Sequence, residues 1–208
     1  MLRQLRPAVM GVLVFTVLCG LLFPAVITGI AQAVFPHRAN GSLITQNSRV
    51  VGSELIGQAF TDPKYFHSRP SAAGAGYDGG ASSGTNLGPT SDKLINGIHK
   101  KLANGDDDPG NYDGIRDLAA AYRRDNGLPE GAPVPPDAVT RSASGLDPHI
   151  SPVNAGLQAS RVAKARGVSE ETVRHLIAES TQGRQFGILG EPRVNVLRLN
   201  LALDQLGH

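Results

Sequence analysis

Pro7-Ala-Val-Met-Gly-Val-Leu-Val-Phe-Thr-Val-Leu-Cys-Gly-Leu-Leu-Phe-Pro-Ala-Val-Ile-Thr-Gly-Ile-Ala-Gln-Ala-Val-Phe35 decides the architecture, because it contains no Asp, Glu, Lys, Arg or His. Roughly 28 residues at about 1.5 Å rise each make a rod of about 40 Å, against a hydrocarbon layer of about 30 Å. One helix, tilted or kinked at Pro24, therefore crosses a bilayer with length to spare. The chain then divides into a cytoplasmic N-terminus (1–6), a transmembrane helix (7–35) and an extracytoplasmic domain (36–208).

A removable signal peptide is the rival reading. Arg3 and Arg6 resemble a charged leader, and Ala31-Gln32-Ala33 fits a small-x-small cleavage site. The apolar run, however, is about twice the usual 7–15 residues of such a leader. Val17 and Leu18 before Cys19 are also too large for a lipoprotein site. A retained anchor with the mature chain starting at Met1 is the expectation. Arg3 and Arg6, without an acidic neighbour, favour the cytoplasmic side for the N-terminus, which puts the bulk of the chain outside.

The lone cysteine, Cys19, lies in the span, so the outer domain has neither a disulfide nor a thiolate for a metal. A domain of roughly 170 residues buries a core without such staples. A net charge of +2 and the lack of interleaved basic and aromatic residues argue against nucleic acid. Aromatics at 5% with no Trp argue against a sugar-stacking surface. Within the span, Thr16 and Gly20, and Ala25, Gly29 and Ala33, recur four apart. They form small-residue faces on which another helix packs closely, although Gly and Ala are common in spans in any case.

Beyond Pro36 the pattern predicts an α+β domain of short strands and several helices. Ser42-Leu-Ile-Thr45 and Arg49–Ile56 read as a hairpin through Gln46-Asn47-Ser48, and Tyr65-Phe66 as an edge strand. Residues 68–89 are rich in Gly, Ser, Ala and Pro but carry specific turn chemistry, which favours an ordered loop. Ser91 caps a helix with Leu94, Ile95, Ile98 and Leu102 inward, ending at Asn104-Gly105. Ile115, Leu118, Ala119 and Tyr122 mark a second, stopped by Asn126-Gly127, and the proline-rich 128–136 is extended. Ser151-Pro152 opens a third, with Val153, Leu157 and Val162 inward and Gly167 closing it. Ser169 opens a fourth, with Val168 stapled to Val173. Residues 195–206 favour helix over strand.

Asp106–Asp113 imitates a calcium loop but lacks the Glu twelve positions after a leading Asp, so a solvated insertion is the better reading. Ser144, Asp147, His149 and Ser151 invite a hydrolase reading. Triads meet through the fold rather than along one loop, and no Gly-x-Ser-x-Gly elbow is present. His67, His149 and His175 lack paired ligand spacing, and Gly183–Gly190 lacks the lysine of a phosphate loop. Those glycines permit turns or close approach to a partner.

Several phrases carry a resemblance. They are Gly52-Ser-Glu-Leu-Ile-Gly-Gln58, Tyr65-Phe-His-Ser-Arg-Pro-Ser-Ala-Ala-Gly74, Ser83-Gly-Thr-Asn-Leu-Gly-Pro-Thr90, Val139–Pro152 and Gly183–Leu197. With the N-terminal span they resemble, in order and over almost the whole chain, the KdpC family of the Kdp-type potassium-transporting ATPases. Thr85 and Ala143 stand where that family is expected to show Ser and Gly. The resemblance implies a bacterial cytoplasmic-membrane complex that imports K+ at the expense of ATP. In it a channel-like, potassium-translocating subunit carries the ion, a P-type subunit hydrolyses ATP, and a further, very small subunit accompanies them. The KdpC member is implied to be single-pass and non-catalytic, without a cofactor of its own, and needed for an assembled pump. The family is also described as a catalytic chaperone that raises the affinity of the ATP-hydrolysing subunit for ATP. ATP is cytoplasmic, so such an effect fits linkage through the complex better than direct contact. A direct nucleotide-sensing modulator and a secreted hydrolase are the alternatives. The interface or loop-shaping candidates are Arg69, Asn86, Asp147, His149, Arg193 and Asn195, each equally able to stabilise the domain's own turns.

Overall fold

Among the described residues one helix, Arg3–Val34 (32 residues), is long and apolar enough to cross a membrane, its stretch from Pro7 onward being free of charge. The computed structural model describes residues 2–206 and falls into two units, the first ending at Ser53 and the second starting at Glu54. The helix comprises α1 (Leu2–Val17), a π turn at Leu18–Leu22, and α2 (Phe23–Val34). The π turn has a cause in Pro24, which has no N–H to give and whose ring would strike the carbonyl four residues back. The Phe23 N–H reaches back five residues to the Leu18 carbonyl. Large apolar side chains from Leu5 to Phe35 point outward all round the helix. That is the surface lipid solvates, with the helical backbone bonds made within the segment itself.

A short helix α3 (Pro36–Ala39) follows, tied back by reciprocal amide bonds between Gln32 and Asn40 at 3.1 and 3.2 Å. Strands β1 (Leu43–Gln46) and β2 (Arg49–Ser53) then form the expected antiparallel hairpin. The turn is the two residues Asn47 (φ 48°) and Ser48 (φ 60°), whose left-handed backbone matches strand twist. Opposite Ile44 and Thr45 stand Gly52 and Val50, so Val51 is an extra residue that bulges the second strand. The strand stops at Ser53, short of the expected Ile56, and the Ser53 hydroxyl donates to the Gly41 carbonyl at 2.6 Å.

The second unit contains α4 (Asp92–Asn96), α5 (Ile115–Asp125), α6 (Pro136–Val139), β3 (His149–Ile150), α7 (Pro152–Arg166), α8 (Glu170–Ser180), β4 (Thr181–Gln182), β5 (Arg193–Asn195) and α9 (Val196–Gln205). The three strands form an antiparallel sheet in the order β3-β5-β4. Ile150, Val162, Val173, Ile177, Val194, Leu199 and Leu203 from this sheet and α7, α8 and α9 enclose the core around Phe66. Ser151, Ser169 and Asn195 each accept an N–H of the first turn of the helix they open, and Gly167 (φ 67°) closes α7.

Three further expectations change. The Ser91 helix stops at Asn96, because Gly97 (φ 79°) turns the chain and Ile98 pairs with Tyr112 instead. Val153 is exposed, and the buried stripe of α7 is Asn154, Ala155, Gln158, Ala159, Val162 and Ala163. Tyr65-Phe66 is no strand; side-chain amides of neighbouring helices take the place of a strand partner. Asn200 accepts from the Phe66 N–H at 2.8 Å and donates to its carbonyl at 3.0 Å. Gln158 does the same for His67 at 2.8 and 3.1 Å. Gln158 of α7 and Asn200 of α9 therefore serve the extended segment laid beside them, satisfying main-chain groups that burial would otherwise leave bare.

Candidate functional site

The held segment at Phe66-His67 delivers Arg69 to the loop before β3. The Arg69 guanidinium donates to Asp147 Oδ2 at 2.8 Å and to the Thr140 carbonyl at 3.3 Å. The other Asp147 oxygen accepts from the His149 N–H at 3.0 Å and lies 3.4 Å from His149 Nδ1. Burial by itself would raise the Asp147 carboxyl. The bonds from His149, then from Arg69, outweigh it and hold the group below its ordinary value of 3.8. His149 faces Asn195 across the β3-β5 pair, and Asn195 Nδ2 donates to the Glu54 carbonyl at 2.9 Å.

Four of the six nominated residues thus stand in one connected run: Arg69, Asp147, His149 and Asn195. Arg193, two residues before Asn195 on β5, has its Nε shielded from solvent and without a hydrogen-bond partner. Asn86 lies outside the run, exposed and left-handed (φ 51°).

Neighbouring stretches lock this run in place. Ser71 Oγ donates to the Gly145 carbonyl at 2.6 Å, the Ser83 N–H donates to the Ser144 carbonyl at 3.0 Å, and the Gly57 N–H donates to the Leu146 carbonyl at 2.9 Å. The Tyr77 hydroxyl donates to the Arg69 carbonyl at 2.6 Å, and burial pushes its pKa up to about 12. Gly57 is obligatory here, since a Cβ would stand 2.5 Å from the Tyr77 ring and 2.6 Å from the Asp147 carbonyl. Residues 55–57, 69–84 and 139–149, distant in sequence, are thereby one surface. Leu55, Ile56, Arg69, Arg141, Asp147 and Pro148 border an open cleft of about 640 Å³ on it.

The hydrolase geometry is not assembled. Ser151 Oγ donates to Asp137 at 3.0 Å and caps α7, while Ser144 Oγ accepts from the Leu146 N–H at 3.1 Å. Both hydroxyls are thus engaged away from His149. Among the described residues, the side chains close enough to share a metal ion are His99, Asp113 and Asp117, within 4.8 Å. Asp117 already accepts from the Gly114 N–H at 2.8 Å and from His99 at 3.0 Å, which accounts for it as the cap of α5. The acidic insertion folds on itself through Lys101–Asp107 at 2.6 Å and the Asp108–Gly110 turn at 2.7 Å.

Between β4 and β5 the glycine-rich loop forms a second feature. Arg184 pairs with both Glu191 oxygens at 2.7 and 2.8 Å, and Gln185 and Leu189 exchange two backbone bonds at 2.9 Å. At the end stand Phe186, Ile188 and Leu189, exposed by 91, 75 and 55%. The sequence marked this loop through its glycines, but alternation of Phe, Ile and Leu with Gly was the signal for a displayed apolar tip. On the membrane helix, Thr16, Gly20, Ala25 and Gly29 are exposed, and a Cβ on Gly29 would meet nothing within 4 Å.

The family model for KdpC, the K+-transporting ATPase c chain, matches residues 5–205. The chain is 51% identical over 206 residues to the potassium-transporting ATPase KdpC subunit of Mycobacterium tuberculosis strain H37Rv, covering 99% of this chain and all of that protein. It is 50% identical over 204 residues to the Koribacter versatilis KdpC subunit (98% and 95% of the two chains). It is 52% identical over 205 residues to that of Caulobacter vibrioides (98% and 94%).

Proposed function

This chain belongs to the KdpC family, the c chain of K+-transporting ATPases, and on that basis we propose that it is a non-catalytic accessory subunit that holds a K+-importing ATPase assembled and active. The supporting observation is the match over residues 5–205, which takes in the apolar helix and the folded unit after it alike. In this reading the helix anchors the chain in the bacterial inner membrane, with Arg3 and Arg6 on the cytoplasmic side and the folded unit outside. The partners are the other members of the same pump: the potassium-translocating subunit, the ATP-hydrolysing P-type subunit and the very small subunit that accompanies them.

Any influence on ATP affinity then runs through the assembly. A ligand that favours one arrangement of a complex changes affinity elsewhere without touching the second site. ATP and K+ are handled by the partner subunits, and this chain contributes the stability of their association.

The test is ATP-driven K+ uptake at limiting K+ in cells lacking their own copy of this protein. The full chain restores uptake, and the chain cut after Ser53 does not. Uptake that proceeds equally without the chain refutes the accessory role. Photolabelling of the purified full chain with an azido-ATP gives no specific product; saturable labelling would assign direct nucleotide contact instead.

A further inference from the structure

Arg161 of α7 is a partly buried cation without a counter-ion. It donates from Nε to Asn126 Oδ1 at 3.0 Å, from Nη1 to the Pro63 and Tyr65 carbonyls at 2.6 and 2.9 Å, and from Nη2 to Gln158 Oε1 at 2.7 Å. Each of these acceptors is neutral, and among the described residues no carboxylate pairs with the guanidinium. One N–H of Nη2 is left without a protein acceptor. Burial lowers the pKa of the group, and the through-space pull of Tyr122 and Asp125 only partly offsets it. A charge withdrawn from water is ordinarily paired, because an unpaired one is strongly unfavourable. Arg161 borders an open cleft of about 610 Å³, edged also by Pro63, Arg124, Asp125, Asn126, Ser160 and Lys164. Ser160 and Lys164 are exposed, with side chains that bond to nothing among the described residues. Arg124 meets only the carboxylate next to it in the chain, Asp125, at 3.4 Å. Arg124 and Lys164 stand in the last turns of α5 and α7, where cations offset the helix dipole, but Arg161 lies before that turn and has no such role.

We infer that this cleft binds a phosphate dianion, seated against the Arg161 guanidinium between Lys164 and Arg124, with Ser160 Oγ as a further donor. Three cations face one carboxylate there, an excess of two positive charges. A phosphate monoester carries about −1.5 to −2 at pH 7 and meets that excess, whereas a single carboxylate meets half of it. Guanidinium and ammonium groups are the usual donors to phosphate oxygens. None of the residues bordering the cleft is aromatic, so a nucleotide base finds no stacking surface and the phosphate group itself is what is recognised. Occupation is felt beyond the cleft through Arg161, which holds Pro63 and Tyr65 in the segment leading to Arg69. The site goes beyond the accessory-subunit reading and does not depend on it. The dianion has two sources, phosphate in solution and the terminal phosphate of a phosphatidate headgroup.

The experiment uses the full chain in an uncharged detergent, dialysed to equilibrium against radiolabelled inorganic phosphate at fixed ionic strength. One saturable site per chain is expected, half-filled at about 1 mM or below, since three charge-assisted hydrogen bonds supply about a factor of ten each. Lys164→Ala with Arg124→Ala should weaken uptake by about tenfold or more. Both side chains are exposed, so circular dichroism should show the fold kept. Arg161 is left in place because it holds Pro63 and Tyr65. Arg116→Ala, which removes an exposed cation of α5 outside the cleft, should leave uptake as it was. In a second arm, native mass spectrometry follows the same chain with phosphatidate or with phosphatidylcholine. Saturable uptake of free phosphate that falls in the double variant assigns the site to a solute. Retention of phosphatidate over phosphatidylcholine, lost in the double variant and without uptake of free phosphate, assigns it to a lipid headgroup. The inference is overturned if neither is bound, if binding is undiminished in the double variant, or if Arg116→Ala reduces it equally.

Discussion

Replacing Asn200 by Leu tests whether side-chain amides hold the segment that carries Arg69. Asn200 is 2% exposed, and its two bonds are to the N–H and carbonyl of Phe66, a residue wholly buried. Leu matches its size but can neither accept nor donate, so two buried main-chain groups lose their partners. Each orphaned group costs about 1–3 kcal/mol, a total of roughly 4 kcal/mol at the centre of the range. For a unit of this size about 2–4 °C accompanies each kcal/mol, so melting should fall by about 8–16 °C. Circular dichroism of the full chain in detergent follows the transition. Asn200→Asp supplies an internal check, since the acceptor for the Phe66 N–H survives while the donor to its carbonyl is lost. Lowering the pH should restore part of its stability, because the protonated acid donates again. An Asn200→Leu protein that melts within a few degrees of the parent would show that Phe66 needs no amide partner, and the reasoning would fail.

Gly57→Ala should destabilise by about 1–3 kcal/mol through collision with the Asp147 carbonyl and the Tyr77 ring, whereas Gly88→Ala, with open space, should change melting little. Ser169→Ala should cost about 1 kcal/mol, and Ser151→Ala about 2 kcal/mol because Asp137 also loses a donor; both are read from urea midpoints. His67 is held below its ordinary 6.5, first by burial and then by the Arg161 charge. The unfolded chain therefore takes up that proton first, so this residue's contribution is intact above pH 6.5 and declines as pH falls below it, by at most about 1.4 kcal/mol per unit. His67→Asn should flatten that part of the stability profile relative to the parent; an unchanged slope would remove His67 as its source.

The membrane helix was legible because the absence of charge over Pro7–Pro36 leaves no other solvent for it. Helix starts at Ser151 and Ser169 were legible because capping is decided within four residues. What escaped was set by distant partners. Gln158 and Asn200 look like surface residues until the segment Phe66-His67 lies against them, and Asn154 until Tyr122 and Asp137 do. The strands of the β3-β5-β4 sheet have two or three residues, too few for any alternation to register. The surface candidates were recognisable as phrases, but their meeting was not. The Arg69–Asp147 pair joins positions far apart in the chain, and only the tertiary fold closes that distance.

The π turn at Leu18–Leu22 changes how the anchor's small residues line up. Thr16 and Gly20 are four apart, as are Ala25, Gly29 and Ala33, but five positions separate Gly20 from Ala25. In an uninterrupted α-helix that step rotates the second group about 140° away from the first. One wide turn absorbs a single residue, so the helix re-phases and both groups fall along nearly the same line. Rewinding that turn to α without removing a residue would leave composition and length untouched while splitting a continuous shallow seam into two that face different neighbours.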